Sequence, residues 1–99
     1  MVYREGESTV KRIVVTVVGV DKIGIIAGVT GELARHRINV RSVSQAIVDG
    51  IFNMVLICDM EESPDVLADV QQALAEVGRT LGVEVRAQLA DVFYAMHRI

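Results

Sequence analysis

Three glycines fall within residues 19–29, GVDKIGIIAGV, a stretch that directly follows an apolar run. The first amides of a helix lack an intrahelical acceptor, and with the helix dipole they attract a carboxylate or another anion. A turn that lets such a ligand reach the backbone favours glycine, because a Cβ at Gly24 would obstruct the approach. Gly24 also fits a tight turn closed by Asp21, so the spacing alone leaves both interpretations open.

Gly28 and Gly31 follow inside the predicted helix. Each costs about 1 kcal/mol relative to alanine in a helix interior. We therefore expect another element to pack closely against this helix.

Histidine and cysteine offer weaker sites. His36 and His97 are far apart in sequence and neither has a second soft ligand at metal-like spacing, so no metal site is predicted. His36 is interpreted as a cation at the C-terminal end of a helix. Cys58 lies in the apolar run MVLIC with no activating neighbour in sequence, and it is interpreted as a core residue.

An acidic run of Asp59, Glu61 and Glu62 precedes Ser63. Paired carboxylates can do acid–base chemistry, but here they stand before the predicted start of a helix, where negative charge is favoured. The run is interpreted as solvated surface. With no metal site, active thiol or acid–base pair predicted, we expect no enzyme activity, no catalytic residue and no cofactor.

The first three elements position the glycine turn. Residues 13–18 are all β-branched, so residues 12–18 show almost no polar alternation, which is typical of a central strand covered on both faces and predicts β1. Apolar positions at helical spacing predict α1 over residues 24–36. Residues 37–48 predict β2, with a bulge near residues 42–44 where the alternation slips.

Turn signals delimit the next two elements. Asp49-Gly50 between two apolar runs predicts a type I′ hairpin that leads into β3, residues 51–60. Ser63-Pro64-Asp65 predicts a helix start with Ser63 as the N-cap, and Gly82 predicts the end of that helix, α2.

Residues 83–89 alternate as an edge strand should, and they predict β4. The order βαββαβ with right-handed crossovers predicts a ferredoxin-like α+β plait, an antiparallel sheet in the order 4-1-3-2. We expect a flexible N-terminal arm over residues 1–10, the domain over residues 11–90 and a short helical tail over residues 91–99.

Composition excludes several partners. A net charge of −3, an isoelectric point near 5.3 and only 4% aromatic residues argue against binding to nucleic acid or to an anionic membrane surface. No apolar run approaches the length of a membrane span, and we expect a cytoplasmic protein. The 52% of hydrophobic residues is high for a single small domain, which predicts a buried interface with another chain.

The segment VTVVGVDKIGIIAGVTGELARHRINV resembles the first half of an ACT domain, a ferredoxin-like module that binds amino acids and other small ligands in metabolic regulation. The matching pieces are the D-x-x-G turn at Asp21 and Gly24, the apolar helix start after it and the I-N-V entry to β2. The likeness runs over residues 11–89. The chain is similar to the stand-alone ACT-domain proteins of bacteria and archaea, and to the ACT modules of glycine-cleavage regulators and formyltetrahydrofolate deformylase.

The resemblance implies an effector that lies between two chains, where it touches the turn after β1 in one chain and the first part of β2 nearby. Carried over residue by residue, it implies these ligand-binding positions: Asp21, Lys22, Ile23, Gly24, Ile25, Ile26 and Asn39.

Two hypotheses follow. The first is a non-catalytic homodimer that binds a small amino acid or related carboxylate and regulates a separate, unidentified protein. The alternative is a structural dimerisation module without a ligand, in which the glycines serve helix packing at a dimer seam. Because both faces of β1 are apolar, we expect a partner chain or the tail to cover the face without helices. We expect the tail to bury Val92, Phe93 and Met96.

Overall fold

The computed structural model describes residues 11–20 and 23–96, so the predicted N-terminal arm lies outside the described residues, as do residues 97–99 of the tail. One antiparallel sheet in the order β2-β3-β1-β4 confirms the predicted ferredoxin-like plait, with a third short helix at the C-terminal end. No helix within the described ranges is long and apolar enough to cross a membrane. The elements are β1 (Arg12–Val20), α1 (Ile25–Arg35), β2 (Asn39–Val48), β3 (Ile51–Asp59), α2 (Leu67–Leu81), β4 (Glu84–Leu89) and α3 (Ala90–Met96).

The core lies between the sheet and the helices α1 and α2. Strand β1 is central and pairs antiparallel with both β3 and β4. Ile13, Val15 and Val17 alternate toward the helices and are completely buried, as a central strand requires. They pack with apolar residues of β3, α1 and α2, among them Met54, Leu56, Cys58, Ile25, Val29, Leu33, Val70 and Leu74.

The opposite face of the sheet, here called the open face, is only partly covered. Val14 and Val18 both lie on it, yet Val14 is 1% exposed and Val18 is 43% exposed. Helix α3 folds back against β1 and β4 and covers the Val14 end. The predicted burial of the tail is right for Phe93, which is half-buried, and wrong within one chain for Val92 and Met96, which are 46% and 65% exposed.

The two glycines inside α1 differ in their surroundings. A Cβ added to Gly28 would lie 2.9 Å from Leu81 Cδ1, so the prediction of close packing is confirmed there, and the packing element is α2. A Cβ on Gly31 would meet nothing within 4 Å among the described residues, so packing by another element of this chain explains Gly28 and does not explain Gly31. Gly28 therefore sets how closely α1 and α2 approach.

Helix α2 begins later than predicted. Ser63 is not its N-cap: the Ser63 hydroxyl accepts the Asp65 N–H at 3.2 Å in a local turn. Val66 is the N-cap instead, and its carbonyl accepts the N–H groups of Asp69 and Val70. A side-chain turn of this kind satisfies the backbone without starting a helix. The end is as predicted, with Gly82 in the left-handed region at φ 75°.

Strand β2 also begins later than predicted, at Asn39. Arg37 adopts a left-handed φ of 58°, and its N–H donates to Ala34 O at 3.0 Å, which closes α1 before the strand can start. The predicted hairpin turn is confirmed by positive φ at both Asp49 and Gly50. A bulge is present as predicted, slightly earlier, where the register with β3 shifts between Val40 and Ser42.

Candidate functional site

The N-terminus of α1 presents backbone N–H groups to the surface. The first intrahelical hydrogen bond joins Gly28 N–H to Gly24 O at 2.8 Å. The N–H groups of Ile25, Ile26 and Ala27 precede it, and within the described residues no side chain caps this end of the helix. Such amides, with the helix dipole behind them, can bind a carboxylate.

Gly24 is required at this end by its backbone conformation. Its φ is 94°, which an L side chain adopts only with strain. A Cβ there would meet nothing within 4 Å among the described residues. The glycine therefore serves the shape of the turn, and no described side chain fills the space beside it.

Exposed apolar side chains surround these amides. Ile25 is buried in the core, but Ile26 is exposed and Ile23 is fully so. The same end of the sheet carries further exposed apolar residues on neighbouring strands: Val20, Ile47, Val48 and Ile51. The other two predicted site residues, Asp21 and Lys22, lie outside the described residues.

Asn39 lies at the other end of the sheet. It opposes Asp59, which in turn opposes Arg12 at the start of β1, whereas Val20 at the end of β1 precedes the glycine turn. At roughly 3.3 Å per residue over the length of β1, the two ends are roughly 26 Å apart. Within one chain, Asn39 and the α1 amides therefore cannot contact the same small ligand. The predicted topology already implied this separation. The glycine turn follows the end of β1, and α1 then carries the chain back along the sheet, so β2 starts at the end where β1 also starts.

Asp59 forms an ion-pair centre beside Asn39. Its carboxylate accepts Arg12 Nε at 3.1 Å and Arg41 Nη1 at 2.9 Å, and its side chain is 16% exposed. Burial alone would raise the pKa of Asp59, but the hydrogen bonds from Arg41 and Arg12 outweigh it and lower that pKa. The interpretation of Asp59 as part of a solvated acidic run is wrong, because the bulge at Arg41 brings a second guanidinium to it.

His36 connects α1 to the turn before α2. Its Nδ1 lies 2.6 Å from Asp65 Oδ2 and its Nε2 lies 3.0 Å from Glu32 Oε2. The hydrogen bond to Asp65 is the main cause of a raised pKa at His36; burial opposes it, and Glu32 adds to it. The sequence analysis predicted only an interaction of His36 with the helix dipole. The contact with Glu32 could have been predicted from the spacing of four residues on one helix, but nothing in the sequence indicated the contact with Asp65.

Cys58 and the side-chain types that ligate metals are the remaining candidates for chemistry. Cys58 is completely buried, and burial raises the pKa of its thiol to about 12, which keeps it protonated and unreactive. No group of histidine, cysteine or acidic residues within residues 11–20 and 23–96 is placed to hold a metal ion.

Comparison with known proteins confirms the resemblance found in the sequence. Residues 11–88 match the sequence profile of the ACT domain. A UPF0237 protein of Methanosarcina mazei is 41% identical over 91 residues, covering 92% of this chain and 99% of that protein. The structure of an ACT domain protein from Streptococcus pneumoniae has a TM-score of 0.75 at 34% identity, covering 88% of this chain and 98% of the other.

Two more distant structures share the fold. A proposed glycine cleavage system transcriptional repressor has a TM-score of 0.71 at 20% identity, covering 82% of this chain and 46% of that one. A formyltetrahydrofolate deformylase from Pseudomonas syringae has a TM-score of 0.72 at 21% identity, covering 80% of this chain and 28% of that one. In both, the likeness is confined to one part of a larger protein.

Proposed function

This chain belongs to the ACT domain family, a family of regulatory domains that bind small molecules, and on that premise we propose that it binds a small amino acid or a related carboxylate. The protein acts without catalysis, as a homodimer in the cytoplasm, and passes the binding signal to a separate protein. The observation that carries the proposal is the N-terminus of α1, where no side chain of the described residues caps the first amides and exposed apolar side chains lie nearby.

The α1 end matches the chemistry of such an effector. The N–H groups of Ile25 and Ile26 supply donors for a carboxylate, and the exposed Ile23 and Ile26 supply an apolar surface for the rest of the molecule. The first turn of α1 contains no acidic side chain that would repel an anion. A neutral apolar compound would leave the amides unused, so a carboxylate is the better fit.

A second copy is needed for Asn39 to take part. Strand β2 is an edge strand, and all of its residues except Val40 are exposed. Antiparallel pairing of two β2 strands about a two-fold axis places the start of one strand beside the end of the other. Asn39 of the second copy then approaches Val48, at the end of the sheet where α1 begins.

A thermal-shift screen of the twenty amino acids, followed by calorimetry on the best ligand, tests the proposal. Ile26→Asp places a competing carboxylate on the second residue of α1, and we expect it to weaken binding at least about tenfold. Ala68→Asp is the matched control, because it puts the same group on the second residue of α2. Gly24→Ala is unsuitable, since alanine at φ 94° is strained regardless of any ligand.

Asn39→Ala tests the contribution of the second chain. We expect weaker ligand binding in a variant that still dimerises, measured by calorimetry and sedimentation. Equal affinity in Ile26→Asp and Ala68→Asp would place the ligand elsewhere. If none of the amino acids binds the parent protein, the alternative of a structural dimerisation module is preferred. The contact of Gly28 with α2 lies within one chain, so it supports a packing role for that glycine but gives no support for a dimer seam.

A further inference from the structure

The two outer strands of the sheet, β2 and β4, differ in how their edges are covered. Every residue of β2 except Val40 is exposed. In β4, by contrast, Val85 and Ala87 are buried in the core that the sheet forms with the helices. An outer strand carries a row of unpaired backbone groups that another strand can join. The two edges therefore offer different access to a further chain.

The pairing of β1 shows which backbone groups of β4 point outward. Just before β1, the carbonyl of Lys11 accepts the Met60 N–H at 2.7 Å. Backbone groups alternate in direction along an antiparallel strand, so the odd-numbered residues of β1 direct theirs toward β3. Two residues of β4 that oppose such positions, Val85 and Ala87, therefore direct their backbone groups away from the sheet.

Helix α2 covers this outward edge at both residues. The side chain of Gln71 donates from Nε2 to Ala87 O at 2.8 Å, so that carbonyl is already occupied. At Val85 the cover comes from the helix backbone at the buried Gly78. A Cβ added to Gly78 would lie 3.4 Å from Val85 N and 2.6 Å from Val83 O. A strand that joined β4 would have to displace both contacts.

We propose that Gln71 keeps the β4 edge closed to other chains, so that a dimer joined through β2 does not grow by pairing β4 with the β4 strand of another copy. The inference rests on the β2 pairing of the proposed homodimer. Once two β2 strands have paired, a β4 strand lies at each end of the joined sheet. Pairing of these edges would extend the sheet without a fixed end. Gln71 opposes this growth because it occupies an acceptor that such pairing needs.

Sedimentation velocity of the full-length protein over a range of concentrations tests the inference. Gln71→Leu keeps a side chain of similar size but removes the donor. We expect its weight-average mass to rise with concentration to about twice that of the parent or more, because each added copy of the dimer brings a further β4 edge.

Two further variants are the controls. Gln72→Leu adds the same apolar group at the neighbouring exposed position of α2, and it should keep the parent's mass. Gln71→Lys retains a donor at the end of a long side chain, and it should also keep the parent's mass. Growth in both leucine variants would show that added apolar surface is the cause and would overturn the inference.

Amide hydrogen exchange locates the new contact. The Ala87 N–H points outward with its carbonyl, so in Gln71→Leu it should exchange more slowly as the concentration rises, and in Gln72→Leu it should not. The inference is overturned if Gln71→Leu keeps the parent's mass, or if it grows while the exchange of Ala87 does not change.

The same measurements separate this inference from the proposed function. A monomeric parent would contradict the β2 pairing of the homodimer; Gln71→Leu should then stop at two copies joined through β4, which would still support the closure of that edge by Gln71. A dimeric parent with an unchanged Gln71→Leu would leave the homodimer standing and overturn the role of Gln71.

Discussion

The two ends of the sheet differ in how their surface groups are satisfied. Where β1 starts, Asp59 and His36 each bind two partners from other parts of the same chain. Where β1 ends, Val20, Val48 and Ile51 are exposed, and the adjacent α1 amides lack acceptors in the described residues. Within the described residues, the charged groups of the first end are satisfied inside one chain, and we expect them to serve stability. The α1 amides and apolar side chains of the second end lack such partners there, and we propose the ligand site at that end, with Asn39 reaching it from a second copy.

The largest effect should come from a charge at the second end. Val48→Asp places a carboxylate on the exposed end of β2, where an unpaired buried charge opposes strand pairing between two copies. We expect the dimer dissociation constant to rise about a hundredfold, or about 2.7 kcal/mol, in sedimentation equilibrium.

Val66→Asp is the control for that variant, since Val66 is also an exposed valine but lies at the start of α2. It should leave the dissociation constant unchanged. A similar loss of dimer in both variants, or in neither, would show that β2 is not the contact strand and would remove the functional contrast between the ends.

A smaller effect is expected at the first end, on stability alone. Asp59→Asn removes the charge that holds Arg12 and Arg41 and should lower the free energy of unfolding by about 1.5 kcal/mol, a modest value because both arginines are partly exposed. Since the pKa of Asp59 is lowered from 3.8, its contribution is present above that pH and is lost as the pH falls through the folded-state value.

Urea unfolding at neutral pH and near pH 3 measures both parts of this prediction, with Glu61→Gln as the control at an exposed carboxylate nearby. The two variants should differ at neutral pH and converge in acid. Equal stability of the two variants at neutral pH would contradict this role for Asp59.

The smallest effect should be a pH dependence at His36. Its raised pKa means that protonated His36 stabilises the fold fully below pH 6.5, and that this contribution is lost as the pH rises through the folded-state value. His36→Gln should cost about 1 kcal/mol at pH 6 and progressively less in more alkaline solution. Thermal unfolding across this range measures it. A constant difference between parent and variant would mean that His36 acts by packing and not by charge.

Local signals in the sequence were enough to predict the order of elements and strands. The β-branched run of β1, the Asp49-Gly50 turn and the Gly82 stop each act over a few residues, and all three are as predicted. Tertiary contacts caused the errors. Asp65 contacts His36, which lies at the end of a different element. Asp59 accepts a hydrogen bond from Arg41, which lies at the bulge of β2.

The fold of the chain is confirmed, whereas its candidate site stays a prediction. The α1 turn was identified from its glycines, and Gly24 has the positive φ that explains one of them. Asn39 was assigned to a site between two chains, and this stays a prediction, because Asn39 lies at the opposite end of the sheet in the same chain. Val20 and Val48 were predicted to lie in strands, but their exposure was not predicted. The exposure of a residue at a strand end depends on which other elements pack beside it in the folded sheet.

The register of β1 has a consequence for how the chain acquires this structure. Ile13 pairs with Leu89, so the centre of the sheet joins residues from nearly opposite ends of the described chain. Contacts of such long sequence separation slow folding, because a large loop must close before they form. During synthesis on the ribosome, one edge of β1 stays without a strand neighbour until β4 has emerged. The hairpin of β2 and β3 is local and can form first, which makes the docking of β4 the step that completes the domain.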